Sequence, residues 1–208
     1  MKFIKSIIFV FTFVTGVFTQ EAVYFGDLSF NYSGTANGSF QSGLDLDSLD
    51  YIPEIPENGA FGTLFHDGTN MHTIVSAMTP SNTDETKLDV FFLHLLTEDI
   101  PEPGTYPISA LDMGGFDEMP TTMLFIPEAD TALIFGMFDS FMDGISDSLE
   151  TDELLITMLM EFAQDAFIPL SGNIEINSIT GEEFSGGFNG SFMKLGFPPQ
   201  FIDIENGE

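Results

Sequence analysis

The sequence predicts a mostly β protein, an antiparallel β-sandwich or barrel with one amphipathic helix at about residues 148–167 packed on it. Three observations support this. Short segments alternate apolar and polar residues, which is typical of strands with one buried face. Asp-Gly and Asn-Gly pairs mark turns between them. A single segment shows helical spacing instead. Because no linker divides the chain, we expect one β-rich domain over residues 20–208, preceded by a signal peptide over residues 1–19.

The first twenty residues have the pattern of a secretory signal peptide. Lys2 and Lys5 give a positive start, and an apolar run over residues 7–18 follows that is too short to span a membrane comfortably. Val17 and Thr19 are small enough for the −3 and −1 positions, so we expect cleavage before Gln20. An uncleaved anchor helix is the alternative. Cleavage predicts a soluble protein that is secreted or periplasmic.

Strand signals dominate the remainder of the chain. Residues 28–33 alternate cleanly, and residues 60–78 are predicted to form a hairpin around Asp67-Gly68. Residues 88–96 are apolar on both faces, as expected for a central strand. Further strands are predicted at 104–108 (an edge strand, because of Pro107), 121–128, 131–138, 172–179 and 184–195. Residues 41–59 and 109–120 are predicted loops, and the tail is expected to fray after Ile204.

The predicted helix has an apolar stripe opposite an acidic face. Thr151 is placed to cap its first turn, and Pro169 follows its end. The stripe includes Leu155, Met158 and Phe162. It is predicted to dock on the sheet, and its methionines also suit an adaptable pocket for an apolar ligand between the sheet and the helix.

One phrase occurs twice, as "YSGTANGSF" (32–40) and "FSGGFNGSF" (184–192). Its glycines and Asn-Gly pair allow a tight turn or a glycine-rich bulge, and in the second copy the glycines leave room for aromatic rings over the backbone. Strands of one build near both ends of a chain suit a sheet whose first and last strands are neighbours. We therefore interpret the repeat as architectural.

Three short phrases, "NGSF" (37–40), "PGTYPI" (103–108) and "GNIEINSITGEEFSGGFNGSF" (172–192), carry a resemblance. They resemble segments of uncharacterised secreted or lipoprotein β-domains of Gram-negative bacteria. The chain departs from these domains in its Met-rich helical segment and in lacking a lipobox cysteine. Because those domains have no assigned activity, the resemblance implies a β-sandwich or barrel and a bacterial origin, and it implies no active residue.

The charge excludes several function classes. The chain has 33 acidic residues, 4 lysines, no arginine and a net charge of −29. Loss of the signal peptide leaves Lys87 and Lys194 as the cations, so binding to nucleic acid or to an anionic membrane surface is not expected. The carboxylates must face water, counterions or a bound metal, which suits a saline or calcium-containing medium. The absence of cysteine excludes disulfides.

An acidic loop offers a candidate calcium site. The phrase "DLDSLD" places Asp45, Asp47 and Asp50 close together, and Glu54 and Glu57 could add oxygen ligands. The glycine and glutamate positions of an EF-hand are missing. A solvated acidic loop is the alternative.

The three histidines could form a metal site in one hairpin register. A three-residue loop over 68–70 would place His66 and His72 opposite each other, where His94 could complete a zinc site. A two-residue loop would pair His66 with Met71 and send the two histidines to opposite faces. The sequence leaves both registers open.

These features predict an exported, non-enzymatic structural or interaction module with an acidic surface adapted to salt or calcium. No nucleophile elbow, P-loop or dinucleotide fingerprint occurs in the sequence. The alternatives are a carrier of an apolar small molecule and a metal-dependent hydrolase that uses the histidines. The expected partner is an extracellular protein or an apolar ligand, and calcium is the one expected cofactor, if any.

Overall fold

The structure, a computed structural model, describes residues 19–43, 58–66, 68–81, 83–84, 86–108, 110, 121–131, 165–180 and 183–208. Strands make up 75% of these residues, and the mostly β prediction is confirmed. Within the described ranges no helix is long and apolar enough to cross a membrane.

Within the described residues, ten strands form one sheet. Their bounds are β1 Thr19–Gly34, β2 Gly38–Gly43, β3 Gly59–His66, β4 Met71–Pro80, β5 Lys87–Thr97, β6 Gly104–Pro107, β7 Thr122–Asp130, β8 Ile168–Ile179, β9 Phe184–Lys194 and β10 Gln200–Gly207. The order across the sheet is β6-β8-β9-β10-β1-β3-β4-β5-β7, with β2 also paired to β1, and each pairing is antiparallel. The first and last strands, β1 and β10, are therefore neighbours, whereas the sequence predicted this relation for the strand at 184–195, which is separated from β1 by β10.

Strands β2 and β3 continue each other along β1. Asp27 of β1 pairs with Gly43, and the preceding residue, Gly26, pairs with Ala60. The amide of Gly43 donates a hydrogen bond to the side-chain oxygen of Asn58 (3.2 Å). The predicted acidic loop thus leaves and rejoins the sheet at one point of β1.

The sheet curls into a half-barrel. Strand β7 ends the sheet order, yet Phe125 on β7 exchanges two backbone hydrogen bonds with Phe167, the residue before β8. This isolated bridge joins β7 to the strand next to the opposite edge.

Phenylalanine rings fill the concave inner face. Phe30 stacks on Phe40 with ring centroids 4.9 Å apart, and Phe91 stacks on Phe188 at 4.7 Å. Phe30 also contacts Phe125 edge-on at 5.1 Å. Because these rings come from five different strands, their burial favours the curled sheet over a flat one.

The convex outer face has two different halves. Over β3, β4, β5 and β7 it is partly to fully buried, fully at Phe65, Leu124 and Ile126. Strand β5 is therefore covered on both faces, fully on the inner one and partly on the outer one, but it is not central as predicted, because it lies next to the edge strand β7. Over β8, β9, β10 and β1 the outer face is exposed and mostly polar, although Phe25 and Phe201 are also exposed there.

The predicted helix lies almost entirely outside the described residues, and the part that is described does not support it. Its last three residues are a turn, a bend and the bridge residue Phe167, and β8 begins directly after them. Pro169, predicted to follow the helix, lies within β8. The helical spacing of apolar residues predicted a helix here, but pairing with β7 and β9 gives this end of the segment an extended conformation.

Two further expectations are wrong. Residues 129 and 130 do not separate two strands: Ala129 is buried and pairs with Leu88 inside β7. The C-terminal tail does not fray after Ile204. It forms β10 between β9 and β1, because Ile202 and Ile204 point into the core, and Glu208 exchanges two backbone hydrogen bonds with Ser29.

The repeated phrase adopts two structures. In the first copy Gly34 has a φ of 144°, and the chain turns from β1 into β2 with the Asn37 side chain accepting a hydrogen bond from the amide of Gly34 (3.2 Å). The second copy lies wholly inside β9, where Phe188 and Phe192 are buried.

Candidate functional site

The site residues that the sequence predicts lie outside the described residues. These are the three aspartates of the candidate calcium site, Asp45, Asp47 and Asp50, and the three residues of the candidate ligand pocket, Leu155, Met158 and Phe162. For both sites the sequence-based interpretation stays a prediction. The functional groups that the structure does place fall into three sets: a histidine pair, a carboxylate cluster at one end of β5, and the exposed polar half of the outer face.

The register of the β3–β4 hairpin separates the histidines. His66 pairs with Met71, as expected for the two-residue loop, and His72 therefore projects from the opposite face of the sheet. The ring of His66 accepts a hydrogen bond from the amide of Gly68 at its Nδ1 atom (2.9 Å). The described geometry does not assemble the set of three histidines.

His72 and His94 nevertheless meet on the outer face of β4 and β5. Nδ1 of His72 lies 3.0 Å from Nε2 of His94, and the exposed fractions of the two residues are 1% and 0%. One of these nitrogens must carry the proton that it donates to the other. The ring of Phe65, directly across the strand pair, stacks on His72 at 4.8 Å with an interplanar angle of 3°.

A buried hydroxyl lies beside this pair. Thr122 of β7 is the cross-strand partner of His94, so the two side chains share the outer face. Thr122 is fully buried, and its Oγ1 atom has no hydrogen-bond partner within the described part of the chain. Buried hydroxyls nearly always have a partner, so this atom marks a polar position that the protein alone leaves unsatisfied.

The second set is built around a β-bulge between β5 and β7. Asp89 is buried, and its Oδ1 atom accepts a hydrogen bond from the amide of Glu128 (2.8 Å). Glu128 has a φ of 55°, which is uncommon for a residue with a side chain. Its carboxylate accepts a hydrogen bond from the Thr83 hydroxyl and lies 3.9 Å from Nζ of Lys87.

Burial determines the acid–base behaviour of this cluster. Burial raises the pKa of Asp89, and the nearby charge of Glu128 raises it further against the lowering effect of the Glu128 amide. Burial also raises the pKa of Tyr32, with smaller contributions from the same two carboxylates. We interpret the cluster mainly as structural, because the Asp89 side chain replaces the ladder hydrogen bond that the bulge removes.

The third set is a surface, which we call the polar face. It consists of the outward-facing polar side chains of β8, β9, β10 and β1. Asn173 pairs across strands with Asn189, and Asn31 with Glu205. A second row crosses all four strands through Ser171, Ser191, Asp203 and Ser33, and the Ser191 hydroxyl donates to Asp203 (2.5 Å).

The polar face carries acids and no lysine. Lys194, the one cation in these four strands, lies 4.0 Å from the carboxylate of Asp165, beside the start of β8. Sequence reasoning missed this surface because it assigned part of β10 to a fraying tail. The alternation of Ile202 and Ile204 with Asp203 and Glu205 is the signal that could have identified it.

Comparison with protein-family models, with curated protein sequences and with solved structures yields no match for this chain.

Proposed function

We propose that the protein is an exported, non-enzymatic interaction module and that it binds its partner through the polar face. The observation that carries this proposal is the set of cross-strand rows of asparagine, serine and acidic side chains on adjacent strands. A rigid sheet presents these groups at fixed spacing and with most of their hydrogen-bonding capacity directed to solvent.

The chemistry of the polar face limits the partner. Asn173 and Asn189 offer donors and acceptors, whereas Asp203 and Glu205 offer acceptors with negative charge. A polar extracellular partner that is neutral, cationic or bridged by divalent cations suits this surface. A partner rich in phosphate does not, because like charges repel across an interface.

The polar face can be tested by adding positive charge to it. The double variant Asn173→Lys and Asn189→Lys changes two exposed cross-strand partners. The matched control, Thr69→Lys and Ala110→Lys, adds the same charge at exposed positions away from the four strands. Immobilised wild-type, variant and control proteins are incubated with extracellular material from the producing cells, with calcium and with EDTA.

We expect one partner to be retained by the wild type and the control and to be reduced at least about tenfold by the variant, which corresponds to about 1.4 kcal/mol. All three proteins should unfold at the same midpoint. Equal retention by all three proteins would refute the proposed surface. A partner that binds only in calcium would show that the acidic groups act through bridging cations.

A second candidate, a carrier of an apolar small molecule, is favoured by the other half of the outer face. Leu124 and Ile126 of β7 and Phe65 of β3 are buried apolar side chains of that half, as the lining of a pocket for an apolar ligand requires. Native mass spectrometry of the purified protein tests this candidate. A carrier should retain a small molecule that is released on unfolding, and the interaction module should have the mass of the chain alone.

A further inference from the structure

We propose that His72 and His94 form a binding site for a transition-metal ion that prefers imidazole nitrogen, with the hydroxyl of Thr122 as the third protein group. Zn²⁺ is the ion that suits the site best. The proposal is independent of the polar face, because the pair lies on the buried half of the outer face.

The two nitrogens already have nearly the spacing that a metal ion requires. Two ligands of a tetrahedral zinc ion lie about 3.3 Å apart, since each zinc–nitrogen bond is about 2.0–2.1 Å long. Nδ1 of His72 and Nε2 of His94 are 3.0 Å apart. The exchange of the shared hydrogen bond for two bonds to an ion requires both rings to turn within their planes, a movement that the stacking of Phe65 on His72 allows.

The unsatisfied hydroxyl is the second, independent observation. Thr122 faces His94 across the β5–β7 pair, and its buried Oγ1 atom has no partner among the described groups. Those groups contain no cluster of three histidine, aspartate or glutamate ligands. A hydroxyl is a weak ligand, so the fourth position is left to water or an anion, which would also offset part of the charge of the ion.

The surroundings fix the orientation of the rings. Phe65 stacks on His72 with its plane almost parallel, which holds the imidazole in one orientation. Metal ligands held in this way lose little freedom when the ion binds. Because the exposed fraction of His94 is 0%, we expect an ion to enter slowly in the folded protein and rapidly during refolding.

The test measures zinc binding directly. The full protein is refolded with Zn²⁺ and excess Mg²⁺, which occupies the surface carboxylates, and is dialysed before its zinc content is determined. The variants are His72→Gln, His94→Gln and Thr122→Val. His66→Gln is the matched control, because His66 lies on the opposite face of the same hairpin.

We expect one zinc ion per chain in the wild type and in His66→Gln. Loss of a group that only supports a metal ligand lowers metal affinity roughly 10- to 100-fold. We expect a loss within this range for Thr122→Val and a larger loss for each of the His72 and His94 variants. Less than one zinc ion per wild-type chain would overturn the proposal. Equal loss in His66→Gln would also overturn it.

A measurement on the wild type keeps the test valid if a variant fails to fold. Nitrogen-15 spectra of the histidine side chains identify the atoms that bind the ion. Zinc should shift Nδ1 of His72 and Nε2 of His94 and leave both nitrogens of His66 unchanged. Unshifted nitrogens in His72 and His94 would refute the site, whatever the zinc content.

Discussion

The ring of Phe188 on β9 lies over Gly207 on β10, at a position where the two strands pair. A Cβ atom on residue 207 would lie 2.5 Å from two carbon atoms of this ring, far inside the normal contact distance. The ring of Tyr32 covers Gly38 on β2 in the same way. At both positions the aromatic ring fills space on the inner face that a neighbouring side chain would otherwise occupy.

Gly207→Ala should therefore lower the free energy of unfolding by about 1–3 kcal/mol, the usual cost of overpacking a core. Gly26→Ala is the control, because a Cβ atom there would have no atom within 4 Å. Chemical denaturation of both variants and of the wild type measures the difference. Equal stability of the two variants would show that Phe188 does not occupy this position.

Phe30→Ala should cost about 3–5 kcal/mol, since it removes a large side chain from a packed interior. Phe30 is 2% exposed, and its ring contacts those of Phe40, Phe91, Phe125 and Phe188. Phe197→Ala is the matched control, because Phe197 is fully exposed and should change stability by less than about 0.5 kcal/mol. Denaturation midpoints that differ little between the two variants would contradict a phenylalanine-filled core.

Sequence patterns identified those strands that can be recognised from their own residues alone. Alternation predicted the second half of β1, and continuous hydrophobicity predicted β5 as a strand covered on both faces. The two loop lengths left open whether Met71 or His72 lies opposite His66. The meeting of His72 with His94 depends on a second register, that of β4 with β5, which the sequence pattern does not determine. The position of Thr122 opposite His94 requires, in addition, the pairing of β5 with β7 across an intervening short strand.

The repeated phrase shows the same limit. Identical Ser-Gly and Asn-Gly-Ser-Phe steps form a turn at residues 34–38 and a straight strand at residues 185–192. Glycine permits both backbones at similar cost, so the outcome is decided by neighbouring strands. Strand β9 pairs on both sides with β8 and β10, and this pairing holds the second copy extended.

Asp89→Asn should change how stability depends on pH. Burial raises the pKa of Asp89 above its ordinary value of 3.8, so the fold favours the neutral carboxyl group. As the pH rises from the ordinary pKa through the raised pKa, the wild type therefore loses the stability that the neutral Asp89 carboxyl group contributes. Asparagine avoids that loss and can still accept the hydrogen bond from Glu128. We expect the variant to gain on the wild type at neutral pH and the difference to shrink towards pH 4.

Asp84→Asn is the control of opposite sign. Hydrogen bonds from the hydroxyl and the amide of Thr86 lower the pKa of Asp84, so its ionised form is the one that stabilises the fold. That contribution is present above the ordinary pKa and is lost as the pH falls through the lowered one. Denaturation of both variants between pH 3 and pH 7 compares the slopes. Parallel slopes would show that neither carboxylate is linked to folding in the way described.

The acidic loop between β2 and β3 should respond to calcium, because Asp45, Asp47 and Asp50 are close together in the sequence and carboxylate oxygens are the ligands that calcium prefers. Calcium at a hundred times its dissociation constant would stabilise the fold by about 2.7 kcal/mol and raise the melting temperature by several degrees. Sodium chloride at matched ionic strength should raise it less. The double variant Asp45→Ala and Asp47→Ala should abolish the calcium-specific part, whereas Glu98→Ala and Asp99→Ala, exposed acids at the end of β5, should preserve it. If sodium reproduces the whole shift, the loop is a screened surface, and the calcium site is refuted.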